Sequence, residues 1–266
     1  MIDYDELIRR FADRSTDYAE ASPFPHAVLE NVLSTEVLQR VASEFPSPEA
    51  MEQHFAGPFE KKWAESRWEC FGPATRAVAA ELNSNAFLRA LEALTGIERL
   101  IADVSFYGGG MHQISPGGLL GVHADYNLHR VNGLRRRLNV LLYLNEDWDA
   151  AWGGQLELWD EAVQRPVRKI EPTLGRMVVF STTSEAFHGH PDPLACPPER
   201  TRKSLAFYYF TNDADAEDVA ARHSTVFRAR PGSARDRRQD IGRRVIRWIP
   251  PALTEAVVSR RSSRRS

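Results

Sequence analysis

The chain is predicted to be mainly β with flanking helices, an α+β arrangement in which a jelly roll (a double-stranded β-helix) is backed by N-terminal helices. Two observations carry that prediction. Before Gly96 the apolar residues recur at helical spacing, whereas after it they fall into short runs punctuated by glycine. Eight such runs follow, over 100–107, 111–114, 119–125, 138–145, 156–159, 167–170, 177–181 and 204–210. That many short strands with turn signals between them suits a sheet folded face to face on itself, with a mouth able to hold a metal.

Each element has its own signal. Leu7, Ile8 and Phe11 form one apolar side of a short helix beginning near Tyr4. Ser34 opens a second helix, with Leu38, Val41, Ala42 and Phe45 on one side, and Pro46 and Pro48 end it. The stretch 49–71 is rich in aromatics at irregular spacing and takes no assignment. From 75 to 94 the pattern is two helices, broken near Asn83, Ser84 and Asn85 and stopped at Gly96. These helices would back a sheet. In the run 138–145, Asn139, Leu141 and Tyr143 face one way and Val140, Leu142 and Leu144 the other. The second set is expected beneath the helices and the first inside the barrel.

Length and composition bound the reading. With 266 residues, 42% hydrophobic and 26% charged, the chain can bury a sizeable core and is not globally disordered. Residues 1–227 are read as one domain, with a helical part over 1–98 and a jelly-roll core at about 99–212. The remainder, 228–266, is a basic extension holding twelve arginines. A solvated terminus is the expectation for it, although a peripheral contact with an anionic surface would also suit its charge. No nucleic-acid motif is visible, and no run approaches the roughly 18 apolar residues of a membrane span. The acidic start lacks a secretory pattern, and two cysteines, Cys70 and Cys196, make no disulfide framework. A reducing cytoplasm is therefore expected.

Chemistry concentrates downstream of Gly96. In Gly-Val-His-Ala-Asp-Tyr, His123 and Asp125 stand two apart, so an extended strand presents both to one side. A histidine lies further on at His188, with a rival at His190 on the same side of an extended strand. Two imidazoles and a carboxylate that leave other coordination positions open are the set used by non-heme Fe(II) oxygenases. Arg200, Arg202 and Lys203 follow as cations able to hold a carboxylate, arginine best because of its planar fork. Arg135, Arg136 and Arg137 read as a solvated charged run.

In order and spacing, several segments resemble the 2-oxoglutarate/Fe(II)-dependent oxygenases of the prolyl 4-hydroxylase-like superfamily. They are the His123-Ala-Asp125 pair, the Leu-Asn-Val-Leu-Leu-Tyr-Leu-Asn run, Gly153-Gly154, the stretch from Pro172, Phe187-His188-Gly189, and Arg202-Lys-Ser-Leu-Ala-Phe-Tyr-Tyr-Phe. The resemblance spans about 99–212, and the segment after Phe24 looks like the usual lead-in. It implies Fe(II) held by His123, Asp125 and His188, with His188 preferred to His190 because a small residue follows it. It also implies 2-oxoglutarate as cosubstrate, its far carboxylate on Arg202 with Tyr143 and Ser204 beside it and Gln113 nearby. An added loop over 192–200 departs from the simplest family pattern just before that arginine. The activity implied is dioxygenase chemistry with O2, releasing succinate and CO2 as a C–H bond of a small molecule or peptidyl residue is hydroxylated, with ascorbate as an accessory reductant. Because Asp125 is present, hydroxylation is favoured over halogenation. Two other classes fit such a barrel: a non-catalytic jelly-roll (cupin-like) binding module, and a metal cupin not using 2-oxoglutarate. The substrate and the oligomeric state carry no signature.

Overall fold

The computed structural model describes residues 2–237. Most of the expected basic extension, 238–266, and with it any contact made by that tail, lies outside the described residues. The chain runs through α1 (Tyr4–Ala12), α2 (Ser15–Ala19), β1 (His26–Leu29) and α3 (Thr35–Ser43). The hairpin β2 (Gln53–Ala56) and β3 (Glu60–Glu65) precedes α4 (Pro73–Leu82) and α5 (Asn85–Thr95). There follow β4 (Ile101–Ala102), β5 (Gly110–Ile114), β6 (Leu119–Ala124), β7 (Arg135–Tyr143), β8 (Leu156–Trp159) and β9 (Pro166–Ile170). Next come β10 (Met177–Ser181), β11 (His188–His190), β12 (Arg202–Thr211), α6 (Ala216–Ala220) and β13 (Val226–Phe227).

Local chemistry sets the helix ends. Side chains of Asp3, Ser34 and Ser84 accept hydrogen bonds from the backbone N–H of Glu6, Val37 and Phe87, each filling an otherwise unpaired donor in a first turn. Gly96 ends α5 in the left-handed region, φ 69°, which costs glycine nothing.

All of the strand pairs are antiparallel. They join in the order β1-β10-β7-β12-β5-β3-β6-β11-β8-β9, with β13 on β6, β2 on β3 and β4 on β12. The sheet curls so that β6, β11 and β8 face β7, β10 and β12 across a cavity. The chain thus adopts the expected jelly roll, backed on one side by helices. On that side Leu138, Val140, Leu142, Met177, Val179, Leu205, Phe207 and Tyr209 pack with Leu7, Phe11, Leu38, Val41, Leu82, Phe87 and Leu91 in the main core. Alternation turns Asn139, Leu141, Tyr143, Val178, Phe180, Ser204 and Tyr208 to the barrel interior.

Three departures from the sequence reading have physical causes. The strand expected over 100–107 is cut to Ile101–Ala102, because the Asp103 carboxylate accepts from the N–H groups of Ser105 and Tyr107 and so folds a turn. The unassigned stretch 49–71 contains a hairpin whose strands are joined across by His54 stacked on Trp63, ring centroids 3.8 Å apart. Finally, Val226 and Phe227, beyond the expected end of the core, pair with Ala124 and His123. Among the described residues no helix is long and apolar enough to cross a membrane.

Candidate active site

The inward face of the barrel lines a cavity of about 760 Å³, within the range of small-molecule sites. On its wall stand His123 and Asp125 from the end of β6 and His188 from β11, which pairs with β6 so that His188 lies directly opposite His123. Gly189 permits that pairing, since a Cβ there would fall 2.7 Å from the carbonyl oxygen of Gly121. Ligand atoms of the three residues lie within 4.8 Å of one another, a cluster able to hold a metal ion.

The donor set fits a metal on its own chemistry. His123 Nδ1 donates to the Gly121 carbonyl at 2.9 Å and His188 Nδ1 to the Ala186 carbonyl at 3.0 Å. A carbonyl can only accept, so in each ring the proton sits on Nδ1 and the lone pair on Nε2. Those two Nε2 atoms lie 3.6 and 3.5 Å from the Asp125 carboxylate. Burial, followed by the neighbouring His123, holds His188 down at about 4, so it is neutral and able to coordinate at neutral pH.

Asp125 is supported from behind. Its Oδ2 accepts from Asn139 Nδ2 at 2.7 Å and pairs with the Arg136 guanidinium at 3.2 Å. Asn139 Oδ1 in turn accepts from Arg136 Nε and Nη2 at 3.0 and 2.6 Å. The guanidinium also lies over the rings of Tyr208 and Tyr126, 3.6 and 4.4 Å from their centroids. Burial alone would raise the Asp125 carboxyl, but the Arg136 guanidinium holds it well below the usual carboxylate range. With Oδ2 committed in this way, Oδ1 is the oxygen left to face His123.

Arg136 corrects the expectation of a solvated run, since it is 3% exposed and belongs to the site. Its outer neighbours do meet solvent, and they pair with Asp218 and Asp213. The cause is a β-bulge: Tyr209 lies opposite Leu138 but Phe210 lies opposite Arg136, so β7 carries one extra residue. Simple alternation places Arg136 under the helices, and the bulge turns it to the face of Asn139.

At the other end of the cavity Arg202 is buried. Its Nε donates to the Gly154 carbonyl at 2.7 Å and its Nη2 to the Tyr143 hydroxyl at 3.3 Å, and the guanidinium lies 4.8 Å from the Tyr143 ring centroid. No carboxylate pairs with it among the described residues, so this buried cation is set to receive an anion. Arg200 instead donates to the Glu146 carbonyl and lies over Trp152, and Lys203 approaches Phe45, so neither reaches the cavity. Ser204 lines the cavity, flanked across the sheet by Tyr143 and by His112. Gln113 does not line it. On β5 it alternates with His112 and Ile114, which do, so its side chain lies on the opposite face and is excluded from the pocket. His112 occupies the inward place, an imidazole that sequence reasoning passed over beside the glycines.

Two expected results follow from this geometry. Replacing Asn139 with alanine removes the donor that orients Asp125 and the acceptor that holds Arg136, and should weaken Mn(II) binding about 10- to 100-fold. Calorimetric titration checks it. The second concerns pH. His112, His188 and His190 are all held below the ordinary histidine value, by burial first. As pH falls below about 6.5 the unfolded chain takes up protons that the folded one refuses, so stability drops until the folded values are reached. From His188 alone the loss at pH 5 is about 2 kcal/mol. The metal-free protein should melt at least about 4 °C lower at pH 5.0 than at pH 7.5, and an unchanged Tm would mean that these rings are not buried neutral.

Residues 109–210 match the model of the 2OG-Fe(II) oxygenase superfamily. The likeness to the Fe(II)- and 2-oxoglutarate-dependent oxygenases is thus carried by the segment 109–210. Among solved structures it is similar to a prolyl-4-hydroxylase from Pseudomonas putida, at 21% identity over 76% of this chain and 99% of that one, with a TM-score of 0.56. A prolyl hydroxylase from Trichoplax adhaerens, solved with a hypoxia-inducible-factor oxygen degradation domain peptide fragment, is 17% identical over 82% and 94%, TM-score 0.55. A prolyl 4-hydroxylase from Phytophthora capsici is 19% identical over 83% and 72%, TM-score 0.52. At these identities the likeness is one of fold. No curated protein matches the chain.

Proposed function

We propose that the protein hydroxylates a C–H bond of a small molecule or peptidyl residue, converting 2-oxoglutarate and O2 to succinate and CO2. One observation carries the reading above all: a His123, Asp125 and His188 cluster at one side of a cavity whose other end holds a buried arginine with no carboxylate partner among the described residues. His123 Nε2, Asp125 Oδ1 and His188 Nε2 would hold the iron. Bound there, iron would supply the oxidising chemistry.

The chain's own residues do the rest. Arg202, steadied by Gly154 and Tyr143, would receive the far carboxylate of 2-oxoglutarate, with Ser204 beside it, and so fix the oxoacid's orientation along the cavity. Asn139 and Arg136 keep Asp125 ionised and turned to His123. Apolar walls, Leu120, Leu141 and Leu156 among them, exclude water from the reacting centre. Phe55, Tyr107 and Tyr126, which also line the cavity, would meet the target. The peptide bound to the Trichoplax relative supports a peptidyl target, and the cavity volume suits a small molecule equally.

Anaerobic titration with Fe(II) and then 2-oxoglutarate should raise a visible charge-transfer band. On admitting O2, succinate should form. A folded, iron-loaded protein that shows neither would overturn the reading.

A further inference from the structure

His190 is 3% exposed and lines the cavity, yet neither of its ring nitrogens has a hydrogen-bond partner among the described residues. Its neighbours in kind do not behave so, since His123 and His188 each give Nδ1 to a carbonyl. An imidazole buried with both a donor and an acceptor unmet is costly, and in a native fold it calls for an explanation. Metal ligation does not supply one, because the clustered ligand atoms are those of His123, Asp125 and His188.

Placement suggests what the ring is for. It stands two residues beyond His188 on the same side of β11, opposite Leu120, with apolar wall from Leu120 and Leu156 around it. Leu156 lies two residues after Gly154, whose carbonyl accepts from Arg202 Nε. At that end of the cavity Arg202 has spent Nε on Gly154 and one hydrogen of Nη2 on Tyr143, while Nη1 makes no hydrogen bond to a described residue. Lys62, also on the wall, is neutralised by Glu60 at 3.0 Å. His190 and Arg202 line the same cavity. Two sets of unused N–H groups therefore share one cavity in which no carboxylate of the described residues pairs with Arg202.

We propose that His190 is a positioning residue for the oxoacid, donating a ring N–H to the far carboxylate that Arg202 holds, so that arginine and histidine together select a dicarboxylate. The proposal rests on the reading of this chamber as the 2-oxoglutarate pocket. It makes the anchor two-sided. A planar fork fixes one edge of the carboxylate, and a neutral donor meets the remaining oxygen without adding a second cation to be desolvated.

The test pairs variants with two oxoacids. Dissociation constants for 2-oxoglutarate, and for 2-oxopentanoate, which has the same carbon chain without the far carboxylate, are measured anaerobically by calorimetry on the Mn(II)-loaded protein. His190→Val should weaken 2-oxoglutarate about 10-fold, the loss of one hydrogen bond to a charge, and leave 2-oxopentanoate within about twofold. His190→Gln, which keeps a donor, should recover most of the lost affinity. Mn(II) affinity should not change in either variant. Unaltered 2-oxoglutarate binding in His190→Val would overturn the proposal. So would an equal loss for both acids, which signals a packing role, or loss of Mn(II), which signals a ligand. A wild-type protein that binds Mn(II) but not 2-oxoglutarate fails in a different way, since it removes the cosubstrate reading itself.

Discussion

Changing Asp125 to asparagine is expected to reduce Fe(II) affinity by at least about 100-fold and to abolish succinate formation. Loss of a supporting residue outside the coordination sphere typically costs 10- to 100-fold, and Asp125 is the only anionic donor in the cluster. Two neutral imidazoles would remain, with the Arg136 cation 3.2 Å from the carboxylate position. Asparagine is the informative substitution because it keeps an oxygen to accept from Arg136. Alanine would leave a buried guanidinium without its partner, a change worth about 3–5 kcal/mol of stability, and would confound metal loss with unfolding. Metal binding is read by anaerobic calorimetry and folding by the melting temperature. Wild-type affinity in Asp125→Asn would remove Asp125 from the ligand set.

The second large effect is expected at Arg202. Substitution by methionine removes a guanidinium fork that can give two charge-assisted hydrogen bonds, each worth about 1.5–3 kcal/mol, so 2-oxoglutarate should bind about 100- to 1,000-fold more weakly. Arg202→Lys keeps the charge but not the planar geometry and should lose less, on the order of 10-fold. The metal-free Arg202→Met protein should be no less stable than wild type, because a buried cation with no carboxylate partner among the described residues is replaced by an apolar chain of similar length. Retained Mn(II) binding with lost 2-oxoglutarate binding, both by calorimetry, separates the cosubstrate role from a structural one. Unchanged 2-oxoglutarate affinity would return the assignment to another cation.

Much of this architecture is legible in local pattern. Alternation in 138–145 foretells which residues of β7 enter the core, because each face meets one environment along most of the strand. Helix ends at Ser34, Ser84 and Gly96 are equally local, resting on a side-chain acceptor or a left-handed residue. The His123 and Asp125 pair needs only a strand's two-residue period. What stays illegible depends on distant partners. Arg136 joins the site through a bulge defined by register against β12, and nothing in three consecutive arginines announces it. The β2–β3 hairpin is held by cross-strand stacking rather than by alternation. His188 and His190 share a side of β11, so period cannot choose between them; the choice comes from β6, where the register shift leaves His188 opposite His123 and His190 opposite Leu120. Gln113 and His112 show the same limit from the other side, since one step along β5 decides which of them meets the cavity.

The cavity walls come from three separate stretches of chain. His123, Asp125, His188, Arg202 and Ser204 all lie within the matched segment 109–210, whereas Gln53, Phe55, Glu60, Lys62, Thr225 and Phe227 lie outside it. The candidate metal cluster and part of the cavity wall around it are thus encoded apart. An engineer seeking a new target would randomise Gln53 and Phe55 on the hairpin and keep Phe227, which pairs with His123. The inherited reaction would stay in place while the guest list changed.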